Sequence, residues 1–180
     1  MLISGFKAIL DANVLLSHLE RNVLLRAVVG ELFQAYWTNE ILDEVHRNLI
    51  TQRRMTLERA TAIVTELRTF DEALVTGYEA LTPAMPNHPK DRHVAAAAVH
   101  CGAELIVTNN LSDFAYLPQG LEAQSSDEFL SVLFGIDPGF IGGALRTECA
   151  AIKPPLSWLA FVQRIEGRLP RLVAALRERA

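Results

Sequence analysis

The chain has 180 residues, half of them hydrophobic, and carries a formal net charge of −4. This length allows one substantial core, and therefore one domain or one domain with an appendage. No apolar run approaches the roughly 18 residues of a membrane span, and the first residues lack the layout of a signal peptide. We therefore expect a cytoplasmic protein that does not associate with a membrane.

The charges are unevenly distributed along the chain, and this limits the kinds of site it can build. Residues 146–180 contain seven basic and three acidic side chains, so a basic tail follows an acidic body, which argues weakly against a general nucleic-acid binder. Cys101 and Cys149 lack the spacing of a zinc site or a disulfide framework. The five histidines form no metal-binding motif. Carboxylates are therefore the expected ligands of any metal, and they favour Mg²⁺ or Mn²⁺.

The first predicted element is a short buried strand, Phe6–Leu10, an apolar run that is broken only by Lys7. The strand ends at Asp11, and apolar residues resume soon afterwards. A buried carboxylate is strongly destabilising unless it is paired with a cation. Asp11 therefore needs a partner, either a distant arginine such as Arg47 or Arg92 or a metal ion.

The sequence pattern of residues 23–73 predicts mainly helices. A helix over Val23–Ala35 leads to a short strand, Tyr36–Thr38, and Asn39 is expected to cap a second helix. Apolar residues repeat along one face of that second helix, and Glu44 lies beside this face. A third helix is predicted over residues 56–73, with Leu57 among its inward-facing residues.

The segment "LTPAMPNHPK" contains three prolines and is predicted to be a loop. It is followed by "DRHVAAAAVHCG", which predicts a helix with Asp91 at its positive end and Gly102 just after its last turn. "AELIVTNN" then predicts a buried strand, and Ser125 and Glu128 have capping-box spacing at the start of another helix. This alternation of strands and helices predicts an α/β fold with a mainly parallel sheet.

The last part of the chain differs in pattern. "IDPGFIGG" predicts a turn-rich junction, and apolar residues at helical spacing follow at positions 158–176. These apolar stripes need a surface that covers them. The sequence leaves open whether that surface is a second copy of the chain, a protein partner or the core of the same domain.

Acidic residues are predicted to meet at one edge of the sheet. In an open parallel α/β sheet, ligands bind outside the carboxyl ends of the strands. Asp11 follows the first strand there, and Asp113 follows the "ELIVT" strand. Asp91 begins the helix that leads into the "ELIVT" strand, and Glu44 lies on a helix that could cross this edge.

Most of these acids also have a local explanation when they are taken singly. Asp91 suits the N-terminus of a helix, Glu44 suits a solvated helix face, and Asp113 suits a turn. Their convergence with Asp11 favours a different interpretation, because mutual repulsion at one edge destabilises the fold unless a divalent cation neutralises it. The sequence therefore predicts a metal site.

Four segments, in order, resemble PIN domains, and most closely the bacterial VapC-like toxins: "ILDANVLLS", "TNEILDEVHRNL", "PKDRHVAAAAV" and "LIVTNNLSDF". The resemblance covers about residues 6–134. It implies a three-layer α/β/α sandwich with a mainly parallel central sheet. The predicted division is a PIN-like nuclease domain, residues 1–135, and a helical C-terminal extension, residues 136–180.

The resemblance also implies an activity, that of an Mg²⁺- or Mn²⁺-dependent endoribonuclease in which a metal-activated water attacks single-stranded RNA. The acids at the catalytic and metal-binding positions of the family are Asp11, Glu44, Asp91 and Asp113. The polar residues expected to support them are Asn13, Thr108 and Asn110. Many similar sequences have an acid where Asn110 stands, so the choice between one and two ions stays open.

An acidic pocket repels RNA, so basic side chains elsewhere must hold its backbone. The candidates are Arg47, Arg53, Arg54 and Arg92, although each fits a solvated helix position equally well. The C-terminal arginines could serve the same purpose or meet an acidic partner. The resemblance further implies the toxin of a type II toxin-antitoxin system, an antitoxin that inserts a basic side chain into the pocket, and in many members a homodimer.

Two other functions fit part of the pattern. A catalytically inert PIN-like module that binds RNA or protein would keep the acids for structural reasons. A phosphotransferase of the haloacid dehalogenase type also begins with an aspartate after a strand, but that family has a second aspartate two residues later. Asn13 occupies that position here, which argues against the phosphotransferase.

Overall fold

A computed structural model of the protein describes residues 6–179. Its centre is a sheet of four parallel strands in the order β2-β1-β3-β4, which confirms the predicted parallel sheet. The strands are β1 Lys7–Leu10, β2 Gln34–Tyr36, β3 Leu105–Val107 and β4 Glu122–Gln124. In the register of the sheet, Ile9 of β1 lies between Tyr36 and Ile106.

Nine α-helices surround the sheet within the described residues. They are α1 Ala12–Leu15, α2 His18–Val29, α3 Asn39–Thr51, α4 Leu57–Arg68, α5 Arg92–Cys101, α6 Ser126–Ile136, α7 Pro138–Ala151, α8 Trp158–Glu166 and α9 Pro170–Glu178. Short 3₁₀ helices lie at Asp71–Ala73, Glu79–Ala84, Pro89–Asp91 and Leu111–Phe114. The alanine-rich α5 packs against β1 and β3, since its small side chains allow close approach to the sheet. The arrangement is the expected three-layer α/β/α sandwich.

The ends of several helices follow the sequence closely. Ser125 and Glu128 form both hydrogen bonds of a capping box at the start of α6, as predicted. Gly102 ends α5 with a φ of 69°, a left-handed conformation that glycine adopts without strain. The cap of α3 differs from the prediction: it is Thr38, whose hydroxyl accepts a hydrogen bond from the N–H of Ile41, and Asn39 is already helical.

Three predicted boundaries in the first half of the chain are wrong. The helix predicted over Val23–Ala35 runs instead from His18 to Val29, because Glu31 takes a left-handed φ of 58° that turns the chain into β2 two residues early. The helix predicted to reach residue 73 ends at Arg68. Leu57 is the first residue of that helix and is exposed rather than inward-facing.

The predicted turn-rich junction "IDPGFIGG" is also wrong, since most of it forms the start of α7. Pro138 occupies the first helical position, where its missing N–H is not needed. The carboxylate of Asp137 caps the helix by accepting a hydrogen bond from the N–H of Phe140, at 2.8 Å. These start signals outweigh the glycines that follow. Strand β4, "EAQ", was not predicted, because this edge strand lacks an apolar run.

The C-terminal helices pack on the core of the same chain. Helix α9 lies against α6, and α7 lies against both α2 and α6. The inward residues of this region are buried in one continuous hydrophobic cluster with the sheet: Phe161, Val162, Ile165, Leu169, Leu172 and Val173. Their own domain core therefore covers these stripes. The division of the chain near residue 135 stays a prediction.

The basic tail forms ion pairs within the chain. Arg168 pairs with Glu20, Arg171 pairs with Glu128 at 3.1 Å, and Arg177 pairs with Glu166. Part of the acidic body thus neutralises part of the basic tail. Among residues 6–179, none of the helices combines the length and the apolar character needed to cross a bilayer.

Candidate functional site

Asp11 lies at the carboxyl end of the central strand β1, where its N–H still donates to the carbonyl of Val107 at 3.0 Å. Its carboxylate is held by three donors. Oδ1 accepts from the N–H of Ala12 at 2.7 Å, and Oδ2 accepts from Asn13 Nδ2 at 2.6 Å and Thr108 Oγ1 at 2.7 Å. The structure therefore brings the expected supporting residues Asn13 and Thr108 onto Asp11.

Asp91 is buried at the start of α5, yet its side chain makes no capping hydrogen bond to the helix. Its Oδ2 atom has no hydrogen-bond partner among residues 6–179. Asp91 therefore lies at the positive end of α5, as the local interpretation expects, but its side chain does not cap the helix. A buried carboxylate oxygen without a donor is costly, and a bound cation is one way to satisfy it.

Glu44 projects from α3 beside the same edge and is mostly buried. Its Oε1 lies 3.9 Å from Lys90 Nζ and accepts a weak hydrogen bond from Asn48 at 3.4 Å. Lys90 comes from the proline-rich loop that precedes Asp91. The ammonium group of Lys90 thus partly offsets the negative charge of the site.

Asp113 lies in the 3₁₀ helix that follows β3 and is half-buried. Its Oδ2 accepts a hydrogen bond from Asn110 Nδ2, and Ser112 in turn donates to Asn110 Oδ1 at 3.0 Å. The N–H of Asn110 donates to Thr108 Oγ1 at 3.1 Å. Asn110 therefore connects the last acid to the residue that supports the first one.

The electrostatics of the site show that the acids influence one another. Burial raises the pKa of Asp11, and the charge of Glu44 raises it further, while the hydrogen bond from Thr108 and the charge of Lys90 lower it. Burial, the charge of Asp11 and interactions with Asp113 raise the pKa of Asp91 to about 6. At Asp11 and Asp91 the arrangement favours a bound proton or a nearby cation over two free negative charges.

Sequence reasoning missed His88, which lies beside Asp91 and Asp113. A nitrogen of His88 and carboxylate oxygens of Asp91 and Asp113 all lie within 4.8 Å of one another. Its signal in the sequence was weak, because His88 stands in a loop between Pro86 and Pro89 and matches no spaced ligand motif.

Sequence reasoning also missed a hydrogen-bond network behind Asp11. Asn109 donates from its N–H to Asn13 Oδ1 at 2.8 Å and from its amide to Glu20 Oε2 at 3.2 Å. Glu20 is completely buried on α2 and pairs with Arg168. A chain of contacts therefore runs from the candidate site to the C-terminal helices.

The four arginines considered for RNA binding are placed differently. Arg47, Arg53 and Arg54 are exposed at and after the C-terminal part of α3. Arg92 is half-buried and its Nε donates to the carbonyl of Asn87 at 3.2 Å. Arg92 therefore braces the loop that carries His88 and Lys90.

A large cleft lies elsewhere on the part of the chain that the structure describes. It has a volume of about 1250 Å³ and is formed by α2, α4 and α7, with Arg21, Arg26, Arg53 and Arg59 in its walls. None of the four acids lines this cleft. The candidate metal site is thus a separate feature of the surface.

Comparisons with known proteins show the family of the chain. The family model described as "PIN domain" matches residues 7–112, so the match ends one residue before Asp113. Over 109 residues the chain is 45% identical to "Putative ribonuclease VapC50" of Mycobacterium tuberculosis (strain ATCC 25618 / H37Rv). This alignment covers 58% of the chain and 64% of the relative, so the chain spans less than two thirds of the relative's length.

Proposed function

Because the chain belongs to the PIN domain family, we propose that it is a metal-dependent endoribonuclease that cleaves single-stranded RNA. The observation that carries this proposal is the buried Oδ2 of Asp91, which has no hydrogen-bond partner among residues 6–179 and faces other carboxylates. A nuclease metal ion would satisfy it. A purely structural acid at this position would be expected to have a donor.

The donor set fits Mg²⁺ or Mn²⁺, since these ions prefer carboxylate oxygens. Asp11, Asp91 and Asp113 would hold the ion, and Glu44 would orient a ligand or a second ion. When bound, the ion lowers the pKa of a water molecule and stabilises negative charge on the phosphate. Asn110 contributes no charge and donates to Asp113 Oδ2, which favours one ion over two.

The other residues of the site would prepare it for this role. Thr108, Asn13 and the N–H of Ala12 fix the orientation of the Asp11 carboxylate before any ligand arrives. Lys90 is exposed at the rim and offers a positive charge to an RNA phosphate. Arg47, Arg53 and Arg54 would extend this contact along the RNA backbone, and Arg92 would keep the rim loop in place.

We also propose that the protein is the toxin of a type II toxin-antitoxin system, as its resemblance to VapC-like toxins implies. An antitoxin would then block the acidic pocket with a basic side chain. The apolar stripes of α8 and α9 are already buried in the core, so an antitoxin or a homodimer would use another surface.

Cleavage of a fluorescently labelled single-stranded RNA in the presence of Mn²⁺ tests the proposed activity. We expect cleavage by the wild type and a loss of at least about 100-fold in rate for Asp11→Asn and Asp91→Asn, because each removes a ligand charge. Arg164→Ala, an exposed change on α8, is the matched control. Absence of cleavage with several RNAs and both metals would support the inert RNA- or protein-binding alternative.

Induced expression in a bacterial host tests the toxin role separately. Wild-type protein should arrest growth when no partner is co-expressed, and Asp11→Asn should not. A host that grows normally with an active nuclease inside it would contradict the toxin role while leaving the nuclease intact.

A further inference from the structure

We propose that His88 is a metal ligand of the acidic site and makes it selective for Mn²⁺ over Mg²⁺. This inference rests on the proposed function, because it adds a nitrogen ligand to the same ion. It goes beyond the acidic residues, which the resemblance already implied, and it assigns a role to a residue that no spacing rule identified.

The main chain holds His88 against both neighbouring acids. Its N–H donates to the carbonyl of Asp113 at 3.0 Å, and its own carbonyl accepts from the N–H of Asp91 at 2.9 Å. Pro89 follows directly and restricts the backbone of His88 to extended conformations. The position of the imidazole relative to the two carboxylates is therefore built into the loop.

The side chain is within reach of a shared ion but does not itself satisfy Asp91. His88 Nδ1 lies 3.9 Å from Asp91 Oδ2, which is beyond hydrogen-bonding distance. The ligand atoms of His88, Asp91 and Asp113 span at most 4.8 Å. Two ligands on opposite sides of an ion, each about 2.1 Å from it, lie about 4.2 Å apart, so small side-chain rotations suffice.

The buried Oδ2 of Asp91 is an independent indication of a ligand at this place. It is buried and has no hydrogen-bond donor among the residues that the structure describes. Lys90 Nζ, a cationic group of the rim, lies 3.9 Å from Glu44 Oε1 and makes no hydrogen bond to Asp91 Oδ2. An ion between His88, Asp91 and Asp113 would use the vacant oxygen and the exposed imidazole together.

The selectivity follows from the ligand type. Mg²⁺ binds almost entirely through oxygen and retains several water molecules, whereas an imidazole nitrogen suits transition metals better. Adding His88 to the carboxylates therefore strengthens binding of Mn²⁺ more than binding of Mg²⁺. The site without His88 would be an all-oxygen site.

Metal binding to the purified, metal-free protein tests this proposal without any assay of activity. The free Mn²⁺ signal in electron paramagnetic resonance gives the Mn²⁺ affinity, and competition gives the Mg²⁺ affinity. For His88→Ala we expect Mn²⁺ affinity to fall about tenfold or more and Mg²⁺ affinity to change less than about twofold. His88→Gln, which keeps the size and offers an oxygen, should likewise lose most of the preference for Mn²⁺.

A spectroscopic signature and two further variants distinguish the possible failures. Mn²⁺ bound to the wild type should show nitrogen hyperfine coupling that His88→Ala lacks, and His100→Ala, at the far end of α5, should retain it. Unchanged coupling and affinity in His88→Ala would overturn the role of His88. Unchanged Mn²⁺ affinity in Asp91→Asn would instead refute the metal site on which the proposed function depends.

Discussion

The carboxylate of Glu20 is completely buried on α2, and its cationic partner is Arg168, which lies between α8 and α9 and beyond the residues that match the PIN family. Asn109 donates to the same carboxylate and, through its N–H, to Asn13, which holds Asp11. The C-terminal helices are therefore linked to the candidate site by consecutive hydrogen bonds.

Arg168→Ala should destabilise the protein, because it leaves the buried charge of Glu20 without its cation. We expect a loss of about 2 kcal/mol in the free energy of unfolding, somewhat less than for a fully buried pair, since Arg168 is half-exposed. Arg168→Lys should lose less, and Glu20→Gln combined with Arg168→Met should recover most of the loss. Urea unfolding measures these values, and a loss below about 0.5 kcal/mol in Arg168→Ala would contradict the assignment.

Ionisation of Asp91 should lower the stability of the metal-free protein as the pH rises from about 4 to 6. The folded-state pKa of Asp91 is raised to about 6, so in this window the folded state binds more protons than the unfolded state. Stability is then greatest at the acidic end, and the raised pKa of Asp11 acts in the same direction. Thermal unfolding in EDTA at several pH values measures this dependence.

Asp91→Asn is the control for that pH dependence, since it removes the titrating group and keeps the shape of the side chain. The slope between pH 4 and 6 should become shallower, and the variant should exceed the wild type in stability at pH 7 without metal. Added Mn²⁺ should stabilise only the wild type. Equal pH slopes for the wild type and Asp91→Asn in EDTA would contradict the raised pKa of Asp91.

The stability effects of Phe161→Ala and Leu159→Ala should differ, because the first position on α8 is buried and the second is exposed. Phe161 is 2% exposed and Leu159 is 65% exposed. We expect the first change to cost about 3 kcal/mol or more and the second less than about 0.5 kcal/mol. Equal and small effects would show that α8 does not belong to the core.

Arg47→Ala and Arg54→Ala should weaken RNA binding without altering chemistry. If each arginine contacts one phosphate, the slope of log affinity against log salt concentration should fall by about 0.7 per residue. KM should rise and kcat should stay constant. Arg164→Ala should leave both constants unchanged, and a lower kcat in Arg47→Ala would place that residue nearer the reacting phosphate than we propose.

The sequence was most informative where local rules act. Asp11 could be located because a carboxylate interrupts an apolar strand, and the α6 cap and Gly102 follow from short-range hydrogen bonding and backbone conformation. The start of α7 is also encoded locally, because Asp137 caps the helix and Pro138 occupies its first position despite the glycines that follow.

Other features depend on contacts that are distant in the chain. Glu20 and Arg168 are 148 residues apart, so the sequence around either residue does not predict that they form an ion pair. His88 became a candidate only when the main-chain bonds to Asp91 and Asp113 were known. Strand β4 forms because it can pair with the free edge of β3. The sequence of its three residues does not indicate this pairing.

The insertion of β3 beside β1 has a consequence for the order of events during translation. Thr108 and Asp11 are 97 residues apart, and Thr108 directly follows β3, the strand that pairs with β1 on the side away from β2. A nascent chain that ends before Thr108 has only the local donors Ala12 and Asn13 on the Asp11 carboxylate and lacks Asp113. The proposed nuclease therefore becomes competent only late in its own synthesis, which leaves the ribosome time to make the protein before that protein can act on RNA.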